Sequence, residues 1–229
     1  MAKKGPHLPA DGKNLNRLFP GNANGTEGDR LAYAIARDFY SVCDYNIDLH
    51  SGGIDEEMTP LIFFSVMGGA EIEEISRRMA KSCSVRYIVR STATNGLYSA
   101  AVLQGLPSIL LERGGNGYWC QEQTQADKRD VCAVLHTLGI LKEAVPPAKE
   151  PEEIETTKYY EAEATGCWYP CFRPGDKVKQ GELLGEIRNE RDEVLSRCVA
   201  DFDGVVLYET SSLSILKGKA LVAFGKQES

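Results

Sequence analysis

The sequence has no long apolar run, no excess of basic residues and no regular spacing of its cysteines. Its apolar stretches stay well short of the roughly 20 residues that a membrane-spanning helix needs, so we expect no membrane partner. The start, Met-Ala-Lys-Lys-Gly, has no apolar segment behind its lysines, which argues against a secretory signal peptide. With a formal net charge of −7, the chain lacks the basic surface that nucleic-acid-binding proteins present.

The seven cysteines are an odd number at irregular positions, and none of them forms a Cys-x-x-Cys pair. The disulfide framework of a secreted domain normally has an even number of cysteines, and a cysteine-only zinc site normally has closely spaced pairs. The cysteine pattern therefore favours free thiols in the reducing cytoplasm and argues against both kinds of cross-link.

Length and composition are those of an ordinary globular protein, with 229 residues, 42% hydrophobic and 26% charged. The composition changes at Lys142, where three prolines follow among Glu and Lys residues, as expected for an extended linker. We therefore predict an α/β domain over residues 1–141, a linker over 142–155 and an all-β domain over 156–229.

Short apolar strands alternate with amphipathic helices in the first of these domains, which predicts a partial doubly wound, mostly parallel sheet. In the second domain, regularly spaced turns such as Arg173-Pro174-Gly175-Asp176 predict a small barrel or sandwich. Thr26 and Asp29 have the spacing of a capping box at the start of the first helix. The predicted strands cover residues 45–49, 61–66, 85–89 and 107–111, and the predicted helices cover residues 27–42, 71–81, 97–103 and 127–138.

A histidine, His50, follows the first predicted strand and is itself followed by Ser-Gly-Gly. In an open α/β sheet the chemistry collects at the carboxyl ends of the strands, where an imidazole can reach a metal or a substrate. A lone histidine in such a place is more often structural, so the interpretation depends on two further stretches. They are Leu15-Asn16-Arg17-Leu18-Phe19-Pro20-Gly21 upstream and Leu110-Leu111-Glu112-Arg113-Gly114-Gly115 downstream.

Each of these candidate residues also has a structural interpretation. Arg17 on a polar loop is commonly a solvated charge, and Asn16 could serve only to cap a turn. Glu112 at a strand end before Arg-Gly-Gly is commonly exposed and inert. The residues taken one at a time leave both interpretations open.

Taken together, the Asn16-Arg17 stretch, Asp48-Leu49-His50-Ser51-Gly52 and the stretch through Glu112 resemble the succinylglutamate desuccinylase/aspartoacylase family in order and spacing. These are zinc-dependent deacylases related to the zinc carboxypeptidases. The resemblance covers most of the chain from about Asp11. Residues 165–225 resemble the β-barrel-like tail domain of bacterial members, which is similar in fold to lipoyl and biotinyl carriers.

The resemblance implies a role for each residue. His50 would be a zinc ligand, and Glu112 the general base that activates the zinc-bound water and later protonates the leaving amine. Asn16 and Arg17 would hold a substrate carboxylate, which a guanidinium can grip through two parallel hydrogen bonds. Asp48 would help to orient the site by contacting a zinc ligand rather than the zinc itself. The implied activity is hydrolysis of the amide bond of an N-acyl amino acid or a similar small carboxylate, with zinc as cofactor.

One departure from the family concerns the metal. The family holds zinc with three protein ligands, and two of them come from a His-x-x-Glu motif that this sequence does not have before Asn16. One histidine cannot hold a catalytic zinc alone, which puts hydrolysis by this chain in question. The sequence permits a fragment of a larger enzyme, favoured by the presence of His50 and Glu112, or a natural short form. Either would expose a sheet edge, which predicts a complementing N-terminal fragment or a homo-oligomer.

Two other functions compete with hydrolysis as interpretations of the sequence. A non-catalytic binding or scaffold protein would keep the fold and the carboxylate pocket, and its zinc content would distinguish it from an enzyme. A lipoyl or biotinyl carrier would need a lysine at the tip of a hairpin. The corresponding turn, Val199-Ala200-Asp201-Phe202-Asp203-Gly204, has none, so this third function is disfavoured.

Overall fold

The computed structural model describes residues 11–143 and 149–227, which form two compact units. Within these residues, the first unit comprises residues up to 50 together with 62–112, 121–143 and 149–151. The second comprises residues 51–61, 113–120 and 152–227, so it includes two segments from the N-terminal half. Residues 144–148 of the predicted linker lie outside the described residues, and the predicted domain boundaries stay predictions.

Four α-helices and thirteen strands make up the described structure, and a short 3-10 helix at Leu15–Arg17 precedes them. None of the helices in the described ranges is both long and apolar enough to cross a membrane. In chain order the elements are α1 (Glu27–Phe39), β1 (Asn46–His50), β2 (Glu56–Met58), β3 (Leu61–Ser65), α2 (Ala70–Lys81), β4 (Tyr87–Ser91), α3 (Leu97–Leu103), β5 (Ser108–Glu112), α4 (Gln121–Thr137), β6 (Glu152–Glu161), β7 (Gly166–Pro170), β8 (Lys177–Val178), β9 (Leu183–Arg188), β10 (Val194–Val199), β11 (Gly204–Thr210), β12 (Ser214–Ile215) and β13 (Ala220–Gln227).

The first unit is built on four strands in the order β1-β5-β3-β4, with β1 and β5 parallel. The strands are short and apolar, and residues such as Phe64 and Ile109 are fully buried. They pack against Met79 of α2 and Val134 of α4, so the helices that the sequence predicts cover the sheet. Each large apolar side chain that is buried in this way stabilises the folded protein by about 1.5–3 kcal/mol. The predicted α/β class is confirmed.

A smaller apolar cluster fixes the loop that contains Asn16 and Arg17. Phe19 from this loop packs with Ala32 and Ala36 of α1 and with Ala100 of α3. The helix α1 begins with the predicted capping box, since the Thr26 N–H donates to the Asp29 carboxylate at 2.9 Å. The loop is thereby held between the first and third helices.

β2 and α4 are two of the elements that differ from the sequence prediction. β2, with the sequence Glu-Glu-Met, is not among the predicted strands, and its residues have no apolar alternation. It is a strand because its backbone pairs with β11, where Met58 lies opposite Tyr208. α4 begins at Gln121, six residues before the predicted start, since its first turns are polar helix-forming residues without an apolar period.

The second unit is all-β, as predicted. One group of strands has the order β6-β13-β11-β2, with β8 also paired to β11. The other is an antiparallel sheet in the order β10-β9-β7-β12. Their shared core contains Trp168, Leu184, Val206 and Phe224, all of them almost completely buried. The predicted turn over residues 199–204 joins β10 to β11.

Candidate active site

His50 and Glu112 end two neighbouring parallel strands, β1 and β5, and are paired directly in the register of those strands. The distance from His50 Nδ1 to Glu112 Oε1 is 3.5 Å. The side chains are 30% and 15% exposed, so each is shielded but reachable from solvent. The two side chains thus meet at one edge of the sheet, while their roles remain predictions.

Asp48 lies on the same face of β1 as His50, because residues two apart on a strand point the same way. Its Oδ1 is 3.2 Å from His50 Nε2, and its side chain is 13% exposed. Its other oxygen, Oδ2, is buried and has no hydrogen-bond partner among the described residues. Each nitrogen of the imidazole therefore faces a carboxylate, Asp48 on one side and Glu112 on the other.

This arrangement favours a charged imidazole. Burial of the His50 ring opposes the charge, but the hydrogen bonds and the negative charges of Asp48 and Glu112 outweigh it and raise the pKa of His50 to about 10. Near neutral pH the ring is then an imidazolium that points an N–H at each carboxylate. The site carries a positive charge held between two negative ones.

The residues in place do not fit a complete zinc site. A catalytic zinc normally has three protein ligands, but within residues 11–143 and 149–227 no group of three His, Cys, Asp or Glu side chains could hold a metal ion. Asp48 and Glu112 face opposite nitrogens of the His50 ring, so they cannot join that ring around a single ion. His50 could supply one ligand at most.

Asn16 and Arg17 belong to the 3-10 helix that follows Asn14, whose side chain accepts the Asn16 N–H at 3.0 Å. The Asn16 Oδ1 accepts the backbone N–H of Leu97, the first residue of α3, at 2.7 Å. The exposed Arg17 guanidinium donates from Nη1 to the Asn16 carbonyl at 2.8 Å. In the described part of the chain this is the only hydrogen bond of the guanidinium, and no direct contact joins it to His50 or Glu112.

Tyr40, which the sequence analysis did not single out, connects the two groups. Its hydroxyl donates to the Leu97 carbonyl at 2.8 Å, so Leu97 is bound by both Tyr40 and Asn16. Burial raises the pKa of the Tyr40 phenol, and the nearby negative charge of Asp48 raises it further. A series of neighbours thus leads from Asn16 through Leu97 and Tyr40 to Asp48. An aromatic residue with a polar end at the end of α1 was the signal in the sequence.

The chain is similar to several known proteins. It is 28% identical over 208 residues to N-alpha-acetyl-L-2,4-diaminobutyric acid deacetylase of Halomonas elongata, with 82% of this chain and 61% of that protein covered. The chain thus spans about three fifths of the length of this curated relative.

Two solved structures share its fold. The succinylglutamate desuccinylase/aspartoacylase of Rhodobacter sphaeroides has a TM-score of 0.86 at 23% identity, covering 97% of this chain and 70% of its own. The product-bound ectoine utilization protein EutE (DoeB) of Ruegeria pomeroyi has a TM-score of 0.86 at 23% identity, covering 96% and 69%. The family model described as the succinylglutamate desuccinylase/aspartoacylase catalytic domain matches residues 4–138, and the chain belongs to this family.

Proposed function

We propose that this chain carries the active site of a deacylase that hydrolyses the amide bond of an N-acyl amino acid or a similar small carboxylate. The observation that carries the proposal is the Glu112 carboxylate beside His50 at the paired ends of two parallel strands. Membership of a deacylase family supports it, as does the similarity to the Halomonas deacetylase, which removes an acetyl group from an amino acid.

In this proposal Glu112 is the base. Its carboxylate takes a proton from the attacking water and later delivers that proton to the leaving amine. The neighbouring His50 ring faces this carboxylate, with Nδ1 at 3.5 Å from Glu112 Oε1. Asp48 holds the other side of the His50 ring at 3.2 Å and so sets the direction in which the ring faces Glu112.

The substrate carboxylate would be bound by the loop before α1. The Asn16 amide oxygen is occupied by the Leu97 N–H, which leaves the two N–H donors of the amide for a ligand. Arg17 is exposed and bonded only to a backbone carbonyl among the described residues, so its guanidinium can turn to a carboxylate without breaking an ion pair. Together the two residues offer several donors to an anion.

Zinc as cofactor is part of the proposal, and it would supply an acidified water and a polarised carbonyl. The described residues provide one ligand of the usual three, so the others would have to come from undescribed residues or from a partner chain, either a complementing fragment or a second copy. We also propose a cytoplasmic location on the basis of the irregular cysteine pattern.

The second candidate is a non-catalytic protein that binds small carboxylates. The absence of a three-ligand group among the described residues favours it specifically. It keeps the donors of Asn16 and Arg17 and needs neither a metal nor a base.

An amide-hydrolysis assay on N-acetyl amino acids, including N-acetyl-2,4-diaminobutyrate, with and without added zinc separates the two candidates. We expect hydrolysis that falls by roughly 10²–10⁴-fold in Glu112→Gln, the usual effect of losing a general base. The matched control Glu74→Gln removes an exposed carboxylate of α2 and should keep the full rate. Full activity in Glu112→Gln would refute the role of the base, and binding without any hydrolysis would establish the second candidate.

A further inference from the structure

The backbone of Leu97 is held from two sides by side chains that are distant in sequence. Its N–H donates to Asn16 Oδ1 at 2.7 Å, across 81 positions, and its carbonyl accepts the Tyr40 hydroxyl at 2.8 Å, across 57 positions. Leu97 is the first residue of α3, so its N–H has no partner within the helix. Asn16 therefore supplies a hydrogen bond that the helix itself cannot make.

The bond from Leu97 also determines how the Asn16 amide is oriented. A backbone N–H can donate only to the oxygen of a side-chain amide, and the NH₂ group must then point away from α3. The Asn16 backbone is fixed as well, since its N–H donates to Asn14 at 3.0 Å. A second hydrogen bond joins the same loop to the residues just before α3, because the Phe19 N–H donates to the Asn95 carbonyl at 3.1 Å. The NH₂ donors of Asn16 are thus held in one direction by the start of α3.

Tyr40 fixes the other side of this arrangement. Its ring packs in the apolar cluster around Phe19, Ala36 and Ala100, and its hydroxyl binds Leu97. α3 also contacts β1 and β5, the strands that end on His50 and Glu112. The position of Leu97 therefore sets the position of Asn16 relative to the strands of the His50–Glu112 pair.

From these contacts we infer that Tyr40 is a positioning residue: its hydroxyl fixes Leu97 and, through Leu97, aims the Asn16 amide donors at the substrate carboxylate. The inference rests on the proposed function for its functional consequence. Its structural core, the dependence of the Leu97–Asn16 bond on the Tyr40 hydroxyl, can be measured without any turnover.

The test compares Tyr40→Phe with Tyr33→Phe. Both changes remove one phenolic hydroxyl from the region of α1. Tyr33 is 37% exposed, and its hydroxyl makes no hydrogen bond among the described residues. In Tyr40→Phe we expect Leu97 amide exchange to become roughly fivefold or more faster, as for one lost hydrogen bond. The side-chain NH₂ signals of Asn16 should shift in the NMR spectrum. KM for an N-acetyl amino acid should rise several-fold at nearly constant kcat, since uniform binding is lost. Tyr33→Phe should match the wild type.

A second variant, Asn16→Asp, distinguishes the role of the amide oxygen as an acceptor from the role of the NH₂ group as a donor. It keeps an oxygen acceptor for the Leu97 N–H but removes both donors, so Leu97 exchange should stay slow while KM rises further than in Tyr40→Phe. Unchanged Leu97 exchange in Tyr40→Phe would overturn the inference. Faster exchange with unchanged KM would also overturn it, because Tyr40 would then be purely structural.

If the wild type hydrolyses nothing, the proposed function fails and an NMR titration with the same N-acetyl amino acid replaces the KM measurement. Weaker binding to Tyr40→Phe than to the wild type would then support the inference. Equal binding to both proteins, or no binding to either, would overturn it.

Discussion

A buried glutamate in the second unit should make the stability of the protein depend on pH. Glu209 lies on β11 opposite Glu57 of β2, and its side chain is 1% exposed. One oxygen, Oε1, is 3.2 Å from Arg173 Nη1, while Oε2 is buried without a hydrogen-bond partner among the described residues. Burial raises the pKa of Glu209, Arg173 lowers it and Glu57 raises it, which leaves the pKa at about 7.

The size of this pH dependence of stability follows from the shift of the Glu209 pKa. An unfolded glutamate titrates near 4.5, so between pH 4.5 and 7 the folded protein holds a proton that the unfolded chain has lost. The free energy of unfolding therefore falls as the pH rises through this window and is unaffected by Glu209 above it. At about 1.4 kcal/mol per unit of pKa, the total loss is about 3 kcal/mol.

Glu209→Gln removes this titration while keeping the size of the side chain. Because a protonated glutamate resembles glutamine, the variant and the wild type should be equally stable near pH 4.5. By pH 7.5 the variant should be the more stable of the two by up to about 3 kcal/mol. Urea unfolding followed by fluorescence measures this, because Trp168 is buried in the core of the same unit.

The control is Glu190→Gln, which removes an exposed carboxylate in the turn between β9 and β10. Its stability relative to the wild type should not change with pH. If the stability difference between Glu209→Gln and the wild type is the same at pH 5 and pH 7.5, Glu209 is ionised throughout and the reasoning is wrong.

Two further predictions concern a glycine and the metal. Gly115→Ala should lower the free energy of unfolding by more than about 1 kcal/mol, because its backbone has φ of 153° and a Cβ would lie 2.2 Å from the Glu56 carbonyl oxygen; Gly53→Ala, whose Cβ would meet only ordinary contacts, is the control in the same denaturation experiment. After dialysis against trace zinc, we expect elemental analysis to find well under one zinc per chain, since His50 is the one imidazole that the described residues place at the site. A tightly held stoichiometric zinc would contradict the incomplete ligand set.

Local sequence was sufficient to predict an element's bounds where residues that end a helix or a strand lie at both sides of it. α3 has the predicted bounds because Gly96 precedes it and Gly105 follows it closely. The two glycines limit a run of small apolar residues. β5 ends on Glu112 as predicted, since a charged residue closes the apolar run. β2 had no such local pattern, because the pairing that makes it a strand comes from β11, about 150 positions later.

The site was predictable only in part for the same reason. The rule that chemistry gathers at carboxyl ends of strands placed His50 and Glu112 at one edge. It could not show that β1 and β5 are direct neighbours, because the strand order β1-β5-β3-β4 differs from the chain order. Nor could it show that Asp48 and Glu112 face opposite nitrogens of one ring. Tyr40 was missed because the residue that its hydroxyl contacts, Leu97, is 57 positions away in sequence.

The charges at the site bear on the proposed role of the Asn16 loop in binding an anionic substrate. Asp48, His50 and Glu112 together carry one positive and two negative charges when the imidazole is protonated. An incoming carboxylate is therefore repelled unless another cation is close by. Arg17 is suited to this task because among the described residues its guanidinium is bonded to a backbone carbonyl and not to an acidic side chain. Its charge is thus not already neutralised, and binding a substrate exchanges a neutral hydrogen bond for a charge-assisted pair.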